Sequence, residues 1–420
     1  MRHKAADYRK RDRHPGRDDR SVPKNRSITL MSLGHACVDV YQGAVAALVP
    51  FFVAERAYSY AAASGIVLAA SLLSSVAQPL FGVLTDRFAM PWLLPLAAAA
   101  SGAGIAVSGI GGSYALTLAA VAVSGLGVAA YHPEAARAAR AASGGRHTAM
   151  GWFALGGNVG FALAPPLVAA VVATWGLRAS PLLGLPALAG VALCGAAVRS
   201  AAGRAGYAPV TDEGAEGAGR DDWPAFLRLS GAVVCRSVVF VGLSTFVSLY
   251  VRARTGGGAA AGTAALCVLY AGGAVGTLAG SRLAGRWGRL RVVRHSYAVT
   301  VLAVAGVVLV PGPPLYLFVA LASAGLYVPF SLHVTLGQDC LPRRMGTASG
   351  VTLGLTVSIG GAAAPALGAL ADATSLRTGL LPLLIPPVVA WFLLRGLREP
   401  VPAAAPSPVA GSRARGAGVS

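Results

Sequence analysis

Runs of about 20 apolar residues, the length an α-helix needs to cross the hydrocarbon of a bilayer, recur along almost the whole chain, and no other feature restricts the fold as much. Twelve such runs are expected, over residues 28–53, 59–83, 91–110, 114–132, 149–174, 179–198, 228–251, 259–281, 292–311, 314–335, 346–371 and 376–396. The fifth and eleventh are interrupted by Gly156, Gly157, Pro165 and Pro166, and by Gly360, Gly361 and Pro365. Membrane helices tolerate such breaks where neighbours cover the freed backbone groups. Only 12% of the 420 residues are charged, about half the usual soluble share. The expected class is an all-α polytopic membrane protein.

A net charge of +19 suggests a nucleic-acid partner until the charges are placed along the chain. Twelve spans with both termini inside put 29 of the 35 Lys and Arg residues on one side. Opposite them lie Arg56, Arg178, Arg252, Arg254 and Arg377, with Arg236 left inside a span. That is the positive-inside pattern of a plasma-membrane protein with cytosolic termini, and no nucleic-acid partner is expected. The five cysteines are far apart and mostly inside apolar runs, so neither a metal motif nor a disulfide framework is expected, and no cofactor is implied.

The longest polar break, 199–227, divides the chain. The expected organisation is a disordered basic cytosolic tail (1–27), a six-helix bundle (28–198), a cytosolic linker (199–227), a second six-helix bundle (228–397) and a cytosolic tail (398–420). The halves echo each other. Gly82-Val83-Leu84-Thr85-Asp86-Arg87 follows the second span, as Gly280 to Arg289, containing Arg286, follows the eighth. Gly160 to Pro166 in the fifth span is answered by Gly361 to Gly368 in the eleventh. Such halves commonly hold a substrate site between them.

These motifs resemble the major facilitator superfamily, with the Gly-x-x-x-Asp-Arg turn after helix two, its degenerate copy after helix eight, and a Gly-x-x-x-Ala-Pro-Pro stretch in helix five like the bend signature of its antiporters. The resemblance covers about residues 28–397 and implies two pseudo-symmetric six-helix bundles. It departs where Ala89-Met90-Pro91 replaces the usual Gly-Arg-Arg extension, where Gly285 replaces the second aspartate, and where helix four carries no internal arginine. A narrower resemblance to the fosmidomycin resistance branch rests on His35-Ala-Cys-Val-Asp39, Gly125 to Glu134 with its Tyr-His-Pro-Glu ending, and Gly156-Gly157-Asn158. It implies a proton-driven antiporter that expels a small, often anionic, toxic compound.

Charged groups inside membrane helices are expensive and point to function. Asp39 lies mid-span in helix one, with His35 one turn before it and Gln42 three residues after, all on one helical face. In the functional reading Asp39 loads and releases a proton and His35 shares it; in the structural one, interhelical hydrogen bonds hold Asp39 permanently. Aligning Pro50 with Tyr250 places Arg236 of helix seven level with His35, at the head of a face running through Phe240, Ser244 and Ser248. Arg236 either offers forked donors to a carboxylate, phosphate or phosphonate and pairs with Asp39 across the halves, or snorkels to the headgroups. Asn158 either bonds substrate or bridges helices. Gly82, Asp86, Arg87, His132, Glu134, Arg137 and Arg286 form the candidate gating and loop-lock set, with His132 and Glu134 closing helix four; ordinary capping is the alternative.

The leading function is a secondary transporter, a proton-coupled exporter of a small organic compound acting as a monomer by alternating access. A passive uniporter or a nutrient importer is the rival. The chain has no Gly-x-x-x-x-Gly-Lys-Ser/Thr run for a built-in ATPase and no His-Glu-x-x-His pair. A membrane enzyme or sensor is therefore disfavoured.

Overall fold

The computed structural model describes residues 26–88, 90–143, 147–202, 220–352 and 356–399, and these residues contain helices and no strands. The first half comprises α1 (Arg26–Arg56), α2 (Tyr60–Arg87), α3 (Leu93–Ser108), α4 (Tyr114–Ser143), α5 (His147–Trp175) and α6 (Leu185–Ala202). The second comprises α7 (Trp223–Thr255), α8 (Gly258–Trp287), α9 (Arg289–Leu309), α10 (Leu315–Tyr327), α11 (Phe330–Cys340), α12 (Met345–Gly350), α13 (Thr356–Ala373), α14 (Leu376–Leu380) and α15 (Ile385–Arg395). The α10–α11 and α14–α15 pairs each make one span; among the described residues ten helical segments are long and apolar enough to cross a membrane and α3 is a shorter apolar one, while α12 and α13 lie within the expected eleventh span on either side of residues 353–355, which are outside the described set. Of the expected linker at 199–227, residues 203–219 lie outside the described set and α6 and α7 take up its two ends; residues 1–25 of the expected tail at 1–27 and residues 400–420 of that at 398–420 also lie outside it.

Polarity sets the layering. α1 and α7 are apolar around most of their circumference and are buried along most of their length at the centre of the molecule. In the first half α1 packs on α4, α5 and α6; in the second, α7 packs on α8, α13 and α15. The α1–α5 seam is closest at Gly156 and Gly160, where a Cβ would collide with the backbone of Ser32 and Ala36. Two small residues four apart thus let the two backbones touch.

The halves meet along α2–α13, α5–α8 and α1–α7. At the face holding the α1–α2 turn, the Asp372 carboxylate accepts hydrogen bonds from the backbone of Tyr60 at 2.7 Å and Ala61 at 2.9 Å. Ser59 Oγ accepts from Ala62 at 3.1 Å. The free donors at the start of α2 are thereby capped by its own preceding residue and by the opposite half.

α4 runs to Ser143, three turns beyond the expected end at 132. Residues 134–143, Glu-Ala-Ala-Arg-Ala-Ala-Arg-Ala-Ala-Ser, are too polar to look like a span, but most are strong helix formers. His132 and Glu134 therefore sit inside a helix instead of closing one.

Candidate functional site

A cavity of about 130 Å³ lies between the halves, beyond the Asp372 contact and facing α2 about two to five turns from its start. α2 contributes Ser71, Ser74, Ser75 and Gln78, and α1 contributes Tyr41 and Gln42. Phe161 of α5, Phe240 and Ser244 of α7, and Tyr270 of α8 supply most of the aromatic wall. Phe161 and Tyr270 meet edge to face across the halves, 4.5 Å between centroids. No lining residue carries a formal charge, so the described walls offer hydroxyl and amide hydrogen bonds together with aromatic faces.

The ionisable groups stand just behind this wall. Asp39 and His35 are each 7% exposed. His35 Nε2 is 3.3 Å from Asp39 Oδ2, and His132 Nε2 is 3.2 Å from Asp39 Oδ1. Alignment is imperfect: His35 Nε2 and Asp39 Oδ1 have no well-formed hydrogen bond. The far nitrogens are well satisfied. His35 Nδ1 is 2.9 Å from the carbonyl of Phe153, on whose ring the imidazole stacks at 4.3 Å. His132 Nδ1 is 2.8 Å from the carbonyl of Val128. Gly157 of α5 lies over the cluster, where a Cβ would press on the Asp39 carboxylate and the His35 ring. Val128 and Gln42, one turn from His132 and Asp39 respectively, line the cavity.

Three of the expected substrate-site residues, Gln42, Phe240 and Ser244, line the cavity together, and two do not. Asn158 donates to the Ala154 carbonyl at 3.3 Å and faces Gly273 of α8, at the junction of the halves. Arg236 neither pairs with Asp39 nor snorkels. It is buried, donates to the Leu326 carbonyl at 3.1 Å and lies 5.0 Å from the Phe330 ring, with Nε unpartnered. The expected Asp39–Arg236 pair is absent because two imidazoles occupy the carboxylate.

The gating set is scattered. His132 belongs to the Asp39 cluster. Glu134 is fully buried and gripped by Arg137 through Nε at 3.0 Å and Nη2 at 2.6 Å, a forked pair within α4 and not a bridge between halves. Among the described residues nothing stands where a Gly82 Cβ would be, so none of their helices approaches closely there. The side chains of Asp86 and Arg87 lie outside the described set. Arg286 is exposed, and nearby Arg289 instead joins Asp339 at 2.6 Å and Glu399 at 3.0 Å.

Sequence reasoning missed the α2 wall, Phe161, Tyr270, and Phe153 as the acceptor for His35. The α2 wall had a signal in the three- and four-residue spacing of Ser71, Ser74, Ser75 and Gln78, a polar stripe in an otherwise apolar span.

Comparison with known proteins places this geometry in a family. The chain is 29% identical over 362 residues to the fosmidomycin resistance protein of Escherichia coli (strain K12), covering 83% of this chain and 86% of that one. It is 28% identical over 384 residues to the uncharacterized MFS-type transporter YfnC of Bacillus subtilis (strain 168), covering 87% and 92%. Among solved structures, a bacterial homolog of the human lysosomal transporter Spinster, inward-facing and occupied, superposes with a TM-score of 0.71 at 15% identity, covering 89% of this chain and 97% of that one. Residues 31–408 match the Major Facilitator Superfamily, and the chain, a multi-pass membrane protein, belongs to that family of transporters.

Proposed function

We propose that this protein is a proton-coupled antiporter that exports a small organic compound across the plasma membrane by alternating access, as a monomer with cytosolic termini. The observation that carries the reading is the buried His35–Asp39–His132 cluster directly behind a cavity between two halves. A titratable group in that place exchanges protons with whichever side the cavity faces and so ties proton movement to the rocking of the halves. The direction of transport is supported by the relative whose name records resistance to fosmidomycin.

Substrate lies against Gln42, Ser71, Ser74, Gln78, Phe240 and Ser244. Arg236, one turn from Phe240 and with no carboxylate partner among the described residues, supplies the positive potential that favours an anionic substrate. The test is transport into proteoliposomes with fosmidomycin as probe. Asp39→Asn abolishes uptake driven by a pH gradient and retains exchange of labelled for unlabelled drug. Unaltered driven uptake in the variant would refute the proton role of Asp39.

A further inference from the structure

We infer that His35, Asp39 and His132 form one site that binds two protons and releases both in each transport cycle, so that His132 is a proton carrier and not part of a gate. The inference rests on the antiporter reading and fixes its stoichiometry. It follows from where the imidazole hydrogens must be.

A carbonyl oxygen can only accept a hydrogen bond. Each Nδ1 lies within 2.9 Å of one, Phe153 O for His35 and Val128 O for His132, so each carries its hydrogen there. In the neutral form each Nε2 is then a bare lone pair. Both Nε2 atoms stand 3.2–3.3 Å from a carboxylate oxygen, one on each oxygen. With no added proton, two lone pairs face an anion and the contacts are repulsive. One proton repairs one contact and leaves the other repulsive. Two protons satisfy both, as two imidazolium rings flanking a carboxylate, one on each oxygen. This arrangement carries a net charge of +1, and loss of both protons returns the site to −1.

Among the described residues no fixed cation takes over this role. On α1 the nearest other titratable group is the Cys37 thiol. On α4 they are Tyr131, and Glu134 already paired with Arg137; on α6 it is Cys194, and α5 presents Phe153 and Gly157. Arg236 of α7 is held inside the second half by Leu326. An unpaired buried carboxylate is costly, so the protons themselves are its counter-charge. The His132 side chain, 24% exposed against 9% for His35 and 10% for Asp39, is the most open of the three.

Two measurements test this. In lipid nanodiscs, ¹⁵N-histidine NMR from about pH 5 to about pH 9 reads the protonation of each ring, with His35→Gln and His132→Gln giving the assignments among seven histidines. Both rings are expected to keep hydrogen on Nδ1 and to gain and lose hydrogen on Nε2. A ring whose Nε2 stays bare throughout, or purified protein carrying one equivalent of a transition metal that Asp39→Asn removes, overturns the proposal. In proteoliposomes clamped at zero voltage, a gradient of one pH unit should balance an opposing gradient of a neutral substrate of about 100-fold for two protons, against about 10-fold for one. With fosmidomycin as probe, corrected for any protons the drug itself carries, two protons per drug are expected for the native chain and one for His132→Gln; one in the native chain overturns the stoichiometry. If fosmidomycin is not carried, the drug reading fails while the NMR arm still decides the proton count.

Discussion

The capping of α2 by the opposite half makes Asp372 a latch whose strength can be worked out. Its carboxylate receives two backbone N–H groups, at 2.7 and 2.9 Å, at the positive end of a 28-residue helix. Losing an N-cap acceptor costs about 1 kcal/mol, and losing an anion at a helix N-terminus costs about 0.3–1 kcal/mol. Asp372 is exposed, so water takes up the freed donors and the total stays near 1–2 kcal/mol. This energy is present only while the halves are closed at that face. Asp372→Ala should therefore raise the ratio of open to closed molecules by roughly 5–30-fold, and Asp372→Asn, which keeps a neutral acceptor, should raise it less. Spin labels at Ser113 and Ala253, exposed on the same face and on different halves, report the ratio by pulsed electron resonance in a background lacking the five native cysteines. Unchanged distance populations in Asp372→Ala would show that the cap does not hold the halves together.

Other substitutions probe the site and its frame. Arg236→Ala should weaken transport of anionic compounds at least tenfold more than that of neutral ones of similar size, read as a ratio of kcat/KM values; equal losses would place the guanidinium out of electrical reach of the cavity. Gly157→Ala should disable driven transport while the protein remains folded, because its methyl group displaces the Asp39 carboxylate and the His35 ring; normal coupling would contradict the described packing. Gly160→Leu should lower the yield of folded protein severely, since the side chain would have to enter the backbone of α1 at Ala36; detergent-solubilised yield by size-exclusion chromatography reads the outcome. Asp339→Asn removes a 2.6 Å partner of Arg289 that is partly exposed, so thermal stability should fall by no more than about 1 kcal/mol and the loss should shrink in high salt.

Much of the fold was legible because the bilayer imposes a single rule: backbone groups must be satisfied inside a helix, and that helix must be about 20 apolar residues long. The rule reports where the chain crosses lipid and not where a helix stops, which is why α4 was expected to end at 132 and continues to Ser143. Helix spacing put His35 and Asp39 on one face, since a four-residue separation is a local quantity. His132 reaches the same carboxylate only because α1 packs against α4, and no local spacing encodes that contact. Level alignment placed Arg236 opposite His35 in depth, but depth does not say which way a side chain leaves its helix, and this one turns to Leu326.

The contact of α1 with α5 through Gly156 and Gly160 also bears on how variants of this transporter should be interpreted. These positions neither line the cavity nor belong to the ionisable cluster, yet they tolerate no side chain beyond hydrogen. In a saturation screen scored by drug survival they will look as intolerant as Asp39. Survival scores alone will therefore outline a site larger than the real one. Dividing each score by the amount of protein reaching the membrane should shrink that outline, removing the seam glycines and leaving the residues of the cavity and the ionisable cluster.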